Sequence, residues 1–228
     1  MPEGRPGAIF LDIEGTTTPI EFVHAVLFPF ARQRLPALLR EHATTPVVAE
    51  AVRDTAAIIG CAPVSIDVVL RQLLEWSDAD QKIPPLKALQ GVIWEAGFLD
   101  GTLLTPMYPD VAPALRAWRG QGVDLYVYSS GSVAAQKLLF RHSAAGDLTG
   151  LLRGHFDATV GPKVVAESYR TIAQSVAREA SELLFLSDNT REIAAARTAG
   201  WRAVLVERNG PVPDRIPPAV GSFAELSL

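Results

Sequence analysis

The sequence is nearly free of cysteine. Cys61 stands alone among 228 residues, so no disulfide can close within the chain, and a reducing compartment, the cytoplasm, is the expected setting. No histidine-bearing motif accompanies Cys61, which reads as a buried structural residue rather than a catalytic thiol. Runs of Lys and Arg are also missing, and the formal net charge is −4. That excludes an electrostatic groove for nucleic acid and an attachment to anionic membrane surfaces. Long apolar runs are absent as well. The first, Ala8 to Leu11, follows a short polar stretch from Met1 to Gly7 and is too brief for a signal peptide or a membrane span. Internal repeats and low-complexity tracts are lacking. What is present is a chain 48% hydrophobic and 20% charged. Such a chain fills a globular core, as one core domain with an insertion or two small domains. A monomer is expected.

The chain changes texture twice. Ala8-Ile9-Phe10-Leu11 reads as a short buried strand that stops at Asp12-Ile13-Glu14-Gly15-Thr16-Thr17-Thr18. From Phe22 to about Gly97 the apolar spacing is helical throughout. Val23, Leu27, Phe30, Leu35 and Leu38 form one stripe; Val48, Val52, Thr55 and Ile59 a second. Ile66, Val69, Leu73 and Trp76 form a third, and Leu86, Leu89 and Ile93 a fourth. Pro29 and Pro36 are expected to kink the first of these helices. After Pro109, strand and helix alternate. Helix 111–118 precedes strand 123–128, and Ser132 can cap helix 133–142. A strand is expected at 156–160 and a helix at 164–178. Strand 183–186 follows, then helix 191–199 capped by Asn189 or Thr190 and closed by Gly200, then strand 202–206. The tail from Gly210 to Leu228 is Pro-rich and reads as mostly irregular. This order predicts an α/β fold: a Rossmann-like, doubly wound parallel sheet (1–20 and 105–228) carrying an inserted all-helical cap (21–104).

In such sheets the ligand lies beyond the carboxyl ends of the strands. Four strand ends carry complementary chemistry. The first ends in Asp12 and Glu14, the second in Ser129-Ser130-Gly131. The third leads to Gly161-Pro162-Lys163, and the fourth ends in Ser187-Asp188-Asn189, with Glu192 one turn later. Taken singly, each has an ordinary explanation as a turn residue, a helix cap, a solvated charge or a carboxylate on a helix dipole. Together they supply what phosphoryl transfer to a carboxylate requires. Asp12 can be the nucleophile. Asp12 and Asp188 can share a Mg²⁺ ion, which takes oxygen ligands. Ser129 or Ser130, Lys163 and the backbone N–H groups around Gly15-Thr16 can hold the phosphoryl oxygens. Glu14 can move the proton.

The order Asp-x-x-Gly-Thr, Ser, Lys, Ser-Asp resembles the four motifs of the haloacid-dehalogenase superfamily. Longer stretches resemble its enolase-phosphatase family, which serves methionine salvage. They are Asp12-Ile13-Glu14-Gly15-Thr16-Thr17, Leu27-Phe28-Pro29, Leu86-Lys87-Ala88-Leu89-Gln90-Gly91, Tyr128-Ser129-Ser130-Gly131-Ser132-Val133, Gln136-Lys137-Leu138-Leu139-Phe140, Gly161-Pro162-Lys163 and Phe185-Leu186-Ser187-Asp188. The similarity covers nearly the whole chain, and Glu14 stands where most superfamily phosphatases carry Asp. The resemblance implies one Mg²⁺ per chain, held by the carboxylates of Asp12 and Asp188 and the backbone carbonyl of Glu14. It implies that Ser129, Ser130 and Lys163 grip the substrate phosphate. The implied substrate is the phosphorylated diketone 2,3-diketo-5-methylthiopentyl-1-phosphate, enolised first and then dephosphorylated to the acireductone 1,2-dihydroxy-3-keto-5-methylthiopentene. Glu14 is the candidate enolising base, with the alternative that it serves only the phosphatase step or lends only its carbonyl. Ala25 and Phe30 depart from the family, which often has Asp and Tyr there. His24, at the entry to the cap, reads as a surface or interhelical residue, and Trp76, Trp94 and Phe98 as cap core. The alternatives are a Mg²⁺-dependent phosphatase of the same superfamily acting on another small ester, a dehalogenase, and a phospho-accepting receiver. The long insertion argues against the last.

Overall fold

The computed structural model describes residues 4–210 and 218–226. By internal contacts the chain divides into two compact units, Met1–Ile20 with Leu104–Leu228, and Glu21–Leu103.

The first unit is built on a sheet. Strand β1 (Ala8–Leu11) is completely buried, as expected of a parallel strand covered on both faces. It is joined by β2 (Asp124–Tyr128), β3 (Gly154–Phe156), β4 (Leu183–Ser187), β5 (Arg202–Val206) and β6 (Ala219–Val220) in the order β3-β2-β1-β4-β5-β6. All pairings are parallel. The chain leaves β1 for β2 and β3 on one side and returns to β4 on the other. The order therefore reverses at β1, where a crevice opens at the carboxyl ends. One face of the sheet is an aromatic ladder. Phe10 lies level with Tyr126 and with Phe185, and its ring stacks on Tyr126 at 4.7 Å and 11°. Tyr169 and Ile172 from one helix and Ile193 and Ala196 from another close this face, a packing that uses the edge-to-face preference of aromatic rings.

The second unit is helical. A single turn, α1 (Ile20–Phe22), runs into a π-helical segment, Val23–Leu27, and then into α2 (Phe28–Glu41). Pro29 has no N–H to offer the Ala25 carbonyl, and the turn before it widens, with Phe28 N–H donating to Val23 O. The irregularity thus falls ahead of Pro29, while α2 runs on through Pro36. Helices α3 (Pro46–Ile59), α4 (Ile66–Asp78) and α5 (Pro84–Leu99) complete the unit. The expected stripes face inward, with Leu39 rather than Leu38 fully buried in the first. Phe30 is core. It packs on Gly97, where any Cβ would strike its ring, and Arg34 lies over its other side. Trp76 and Phe98 are buried, and Trp94 donates from Nε1 to Leu27 O at 2.8 Å. His24 is exposed. Cys61 is only half-buried, its thiol meeting Pro63 O, which corrects the reading of it as a core residue.

Back in the first unit, α6 (Val111–Gly120), α7 (Val133–Arg141), α8 (Ala166–Ser175) and α9 (Thr190–Thr198) connect the strands. Ser132 caps α7 by accepting from Ala135 N–H, and Asn189 caps α9 by accepting from Arg191 N–H. Two expectations need correction. The third strand ends at Phe156, and residues 157–160 form a turn in which Asp157 accepts from the N–H and hydroxyl of Thr159. An Asp side chain that closes its own turn outcompetes the ladder. The tail is more ordered than its prolines suggested: Ala219–Val220 adds to the sheet edge and Phe223–Glu225 forms a 3₁₀ turn. Residues 211–217 lie outside the described ones.

At the opposite end of the sheet Asp124 gathers three arginines. Its Oδ1 accepts from Arg119 at 3.1 Å and Arg153 at 3.2 Å, and Oδ2 from Arg178 at 2.8 Å. Burial alone would raise its carboxyl, but Arg178 and Arg153 outweigh that and hold it below the ordinary carboxylate range. A depressed carboxyl stabilises the fold above its unfolded-state pKa and ceases to do so as pH falls through the folded one. Asp124→Asn is therefore expected to cost about 2 kcal/mol near pH 7 and progressively less below about pH 4. Urea denaturation at both pH values checks this; an equal deficit at both would contradict it.

Candidate active site

Register brings the site together. Leu11 lies opposite Val127 and Leu186, so Asp12 follows level with Tyr128 and Ser187, and Ser129 and Asp188 stand one residue beyond. Asp12 N–H extends the ladder to Leu186 O at 3.0 Å. Its side chain is 6% exposed.

Lys163 is the centre of the charge cluster. Its Nζ lies 2.6 Å from Asp12 Oδ1 and 2.8 Å from Glu192 Oε2, and the Lys163 side chain is 9% exposed. Burial would lower the ammonium's pKa. The charges of Asp12 and Glu192 more than offset this and hold it above the ordinary lysine value, so Lys163 is a fixed cation at any physiological pH. The loop that carries it is pinned at three carbonyls. Tyr128 OH donates to Gly161 O, Ser168 Oγ to Pro162 O and Tyr169 OH to Lys163 O. Gly161 has φ +136°, and a Cβ there would meet Ser168 Oγ. Glycine is required at that point.

Ser187 Oγ lies 2.9 Å from Glu192 Oε2 and 3.3 Å from Asp12 Oδ2. A hydroxyl has one proton, and the shorter contact takes it. Asp12 Oδ2 is then the less encumbered oxygen, while Oδ1 is held by Lys163. Glu192 sits in the first turn of α9, where a helix-dipole role was expected, but burial and the Asp12 charge raise its carboxyl and its side chain is committed to Lys163 and Ser187. That commitment is invisible in a sequence, because the partners lie 29 and 5 positions away on other elements.

The loop after β1 folds on itself. Gly15 N–H donates to Thr18 O, and the N–H groups of Thr16, Thr17 and Thr18 converge on Ile13 O. These donors serve the loop, which corrects the expectation that Gly15 and Thr16 N–H groups face a phosphoryl oxygen. Gly15 has φ +70°, and Asp188 Oδ2 occupies the place a Cβ would take. Asp188 is tied in from its backbone, its N–H donating to Thr16 Oγ1 at 3.0 Å. Glu14 is half-buried on the same loop and bridges to Thr18 through its backbone. Ser129 is buried, with N–H on Phe156 O and Oγ accepting from Gly131 N–H; Ser130 is half-buried beside it. Gln136 secures this turn: its Nε2 donates to Gly131 O at 2.9 Å and Phe156 O at 2.8 Å, and it is fully buried.

The donor set suits a hard divalent cation. One ammonium is paired with the carboxylates of Asp12 and Glu192, and the Asp188 carboxyl stands within the field of all three charges. Protein packed around the Asp188 carboxyl, then the charges of Asp12 and Glu192, push it up to about 6. Among the described residues no three His, Cys, Asp or Glu side chains converge in a ligating group. A cation here would rest on two carboxylates, a backbone carbonyl and water, which is the pattern Mg²⁺ favours.

Comparison with known proteins shows the family. The model of the haloacid dehalogenase-like hydrolases matches residues 6–200. The enolase-phosphatase E1 of Pseudomonas syringae is 50% identical over 89% of this chain and 89% of its own. That of Hahella chejuensis is 49% identical over 97% of this chain and 95% of its own. The solved structure of the UTR4 protein from Saccharomyces cerevisiae superposes with a TM-score of 0.83 at 32% identity, covering 97% of this chain and all of that one. The chain belongs to the haloacid dehalogenase-like hydrolases and, within them, to the enolase-phosphatase family. Among the described residues no helix is long and apolar enough to cross a membrane.

Removing Lys163 would leave two buried carboxylates facing each other. Lys163→Met is expected to destabilise the protein by about 3–5 kcal/mol, read by denaturant midpoint in the absence of metal. An unchanged midpoint would mean the pair is not held as described.

Proposed function

We propose that the chain is a bifunctional enolase-phosphatase of methionine salvage. It converts 2,3-diketo-5-methylthiopentyl-1-phosphate to the acireductone 1,2-dihydroxy-3-keto-5-methylthiopentene and phosphate. The observation that carries this reading is the buried Lys163 ammonium 2.6 Å from Asp12, in a chain about half identical to enolase-phosphatases along nearly all its length.

Enolisation moves a proton from the carbon between the ketone and the phosphate ester to Glu14, the proposed base, while the ketone oxygen takes a proton from solvent to give the enol. In the second step Asp12 Oδ2 attacks phosphorus and the P–O bond to the enol carbon skeleton breaks. The departing oxygen takes a proton from Glu14. Water, deprotonated by Glu14, then attacks the phosphorus of the aspartyl phosphate, which releases inorganic phosphate and restores the Asp12 carboxylate, and Glu14 returns its proton to solvent. Lys163, Ser129 and Ser130 hold the phosphoryl oxygens, with Lys163 neutralising charge as it develops. Asp12, Asp188 and the Glu14 carbonyl would hold Mg²⁺, which would supply Lewis acidity there. Lys163 also keeps Asp12 aimed while the site is empty of substrate.

Turnover of the synthetic diketone phosphate, with enol absorbance and phosphate release followed together, tests the reading. Both signals are expected with Mg²⁺, and phosphate release is expected to vanish after chelation. Turnover of sugar phosphates with none of the diketone would point instead to a phosphatase of another small ester. Asp12→Asn is expected to lower phosphate release by at least about a thousandfold with the fold intact. In Glu14→Ala the enol signal is expected to disappear; an enol formed at the normal rate would assign the proton transfer to another group.

A further inference from the structure

Arg208, just beyond β5, looks in sequence like a solvated charge. In the structure its side chain is 5% exposed and every face of the guanidinium is engaged. Nε and Nη2 both donate to Thr16 O, at 2.9 and 2.7 Å. Nη1 donates to Asp110 Oδ2 at 2.7 Å and to Gly221 O at 3.3 Å. The rings of Tyr108 and Phe223 lie on it at 4.3 and 4.7 Å. Asp110 is held in turn by Ser222 Oγ and Phe223 N–H, and Arg208 with these donors outweighs burial to keep its carboxyl ionised below the ordinary range. Tyr108 N–H takes the next carbonyl of the loop, Thr17 O, at 3.1 Å.

A two-pronged grip on one carbonyl fixes the orientation of a peptide plane, which a single point donor cannot do. Thr16 is the residue whose hydroxyl accepts from Asp188 N–H, and Gly15, one residue back, is the position against which Asp188 Oδ2 packs. The contacts therefore run without a gap from Arg208 through the Thr16 peptide to the backbone and carboxyl of Asp188. We infer that Arg208, braced by Asp110, is a positioning residue that sets the Asp12–Thr18 loop and, through Thr16, the Asp188 carboxylate for cation binding. It touches neither substrate nor cation. The inference rests on the reading of Asp188 as a Mg²⁺ ligand.

Arg208→Lys keeps the positive charge for Asp110 but cannot reproduce the paired bonds to Thr16 O. A merely structural arginine would be largely rescued by lysine. Expected instead in Arg208→Lys are a Mg²⁺ affinity, by titration calorimetry, weakened about tenfold or more, and a fall in kcat with KM for the phosphate ester little changed. Amide exchange at Asp188, measured by NMR without metal, is expected to quicken by about tenfold or more. Asp110→Asn, which loosens the brace from its other end, is expected to move all three in the same direction by less, and it decides the matter should Arg208→Lys fail to fold. Folded variants with wild-type Mg²⁺ affinity and wild-type Asp188 exchange would overturn the inference. Absence of Mg²⁺ binding in the unaltered protein would overturn the metal reading, while faster Asp188 exchange in the variants would still uphold the link through Thr16.

Discussion

Everything in the site is arranged around an ammonium buried between two carboxylates. Taking Lys163, Asp12 and Glu192 out of water carries a heavy desolvation cost, and their mutual attraction offsets it only when the geometry is good and the remaining lone pairs are met. The structure meets these conditions by fixing each partner from behind. Asp12 continues the β1 ladder, Glu192 sits on the first turn of a capped helix and accepts a hydrogen bond from Ser187 Oγ, and Tyr128, Ser168 and Tyr169 hold the carbonyls of the loop that carries Lys163. The two tyrosines also belong to the aromatic core beneath the sheet. Core packing and site geometry are thus one set of contacts, and a cavity below the sheet would be felt at Lys163.

The same arrangement explains why the site can do chemistry on an anion although its own residues are mostly acidic. Lys163 neutralises only one of the carboxylates near it. Burial first, and then the Asp12 and Glu192 charges, raise Asp188 to about 6, and a hard cation is the natural complement of the negative charge left over. The loop after β1 that carries Asp12 and Glu14 is rigid, because its N–H groups from Gly15 to Thr18 are spent on Ile13 O and Thr18 O. Its glycine admits Asp188 where any larger residue would exclude it. Preorganisation of this kind lets fixed charges act on a transition state without reorganising first.

Much of this could be read along the chain. Alternating strands and helices marked the parallel sheet, and the abrupt polar ends of β1, β2 and β4 marked where Asp12, Ser129 and Asp188 would meet, since parallel register makes strand ends neighbours. The helical stripes of residues 21–103 were plain because an apolar face recurs with the helical period. What stayed hidden depended on distant partners or on local competition. Asp157 closes a turn, so β3 ends earlier than its apolar residues suggest. Glu192 has the position of a dipole partner, and only the fold brings Lys163 to it. Arg208 has no local signal at all; its carbonyl partner is 192 positions earlier. Strand β6 is two residues long and depends on the neighbouring edge for its existence.

The central claim is that phosphate leaves the substrate by way of Asp12, in two displacements at phosphorus. The most direct measurement is the stereochemical course. A phosphorothioate ester made stereogenic at phosphorus with two oxygen isotopes is hydrolysed in water carrying a third. Two successive in-line displacements predict net retention of configuration. Net inversion would mean that water attacks the ester directly, and would contradict Asp12 as a covalent nucleophile.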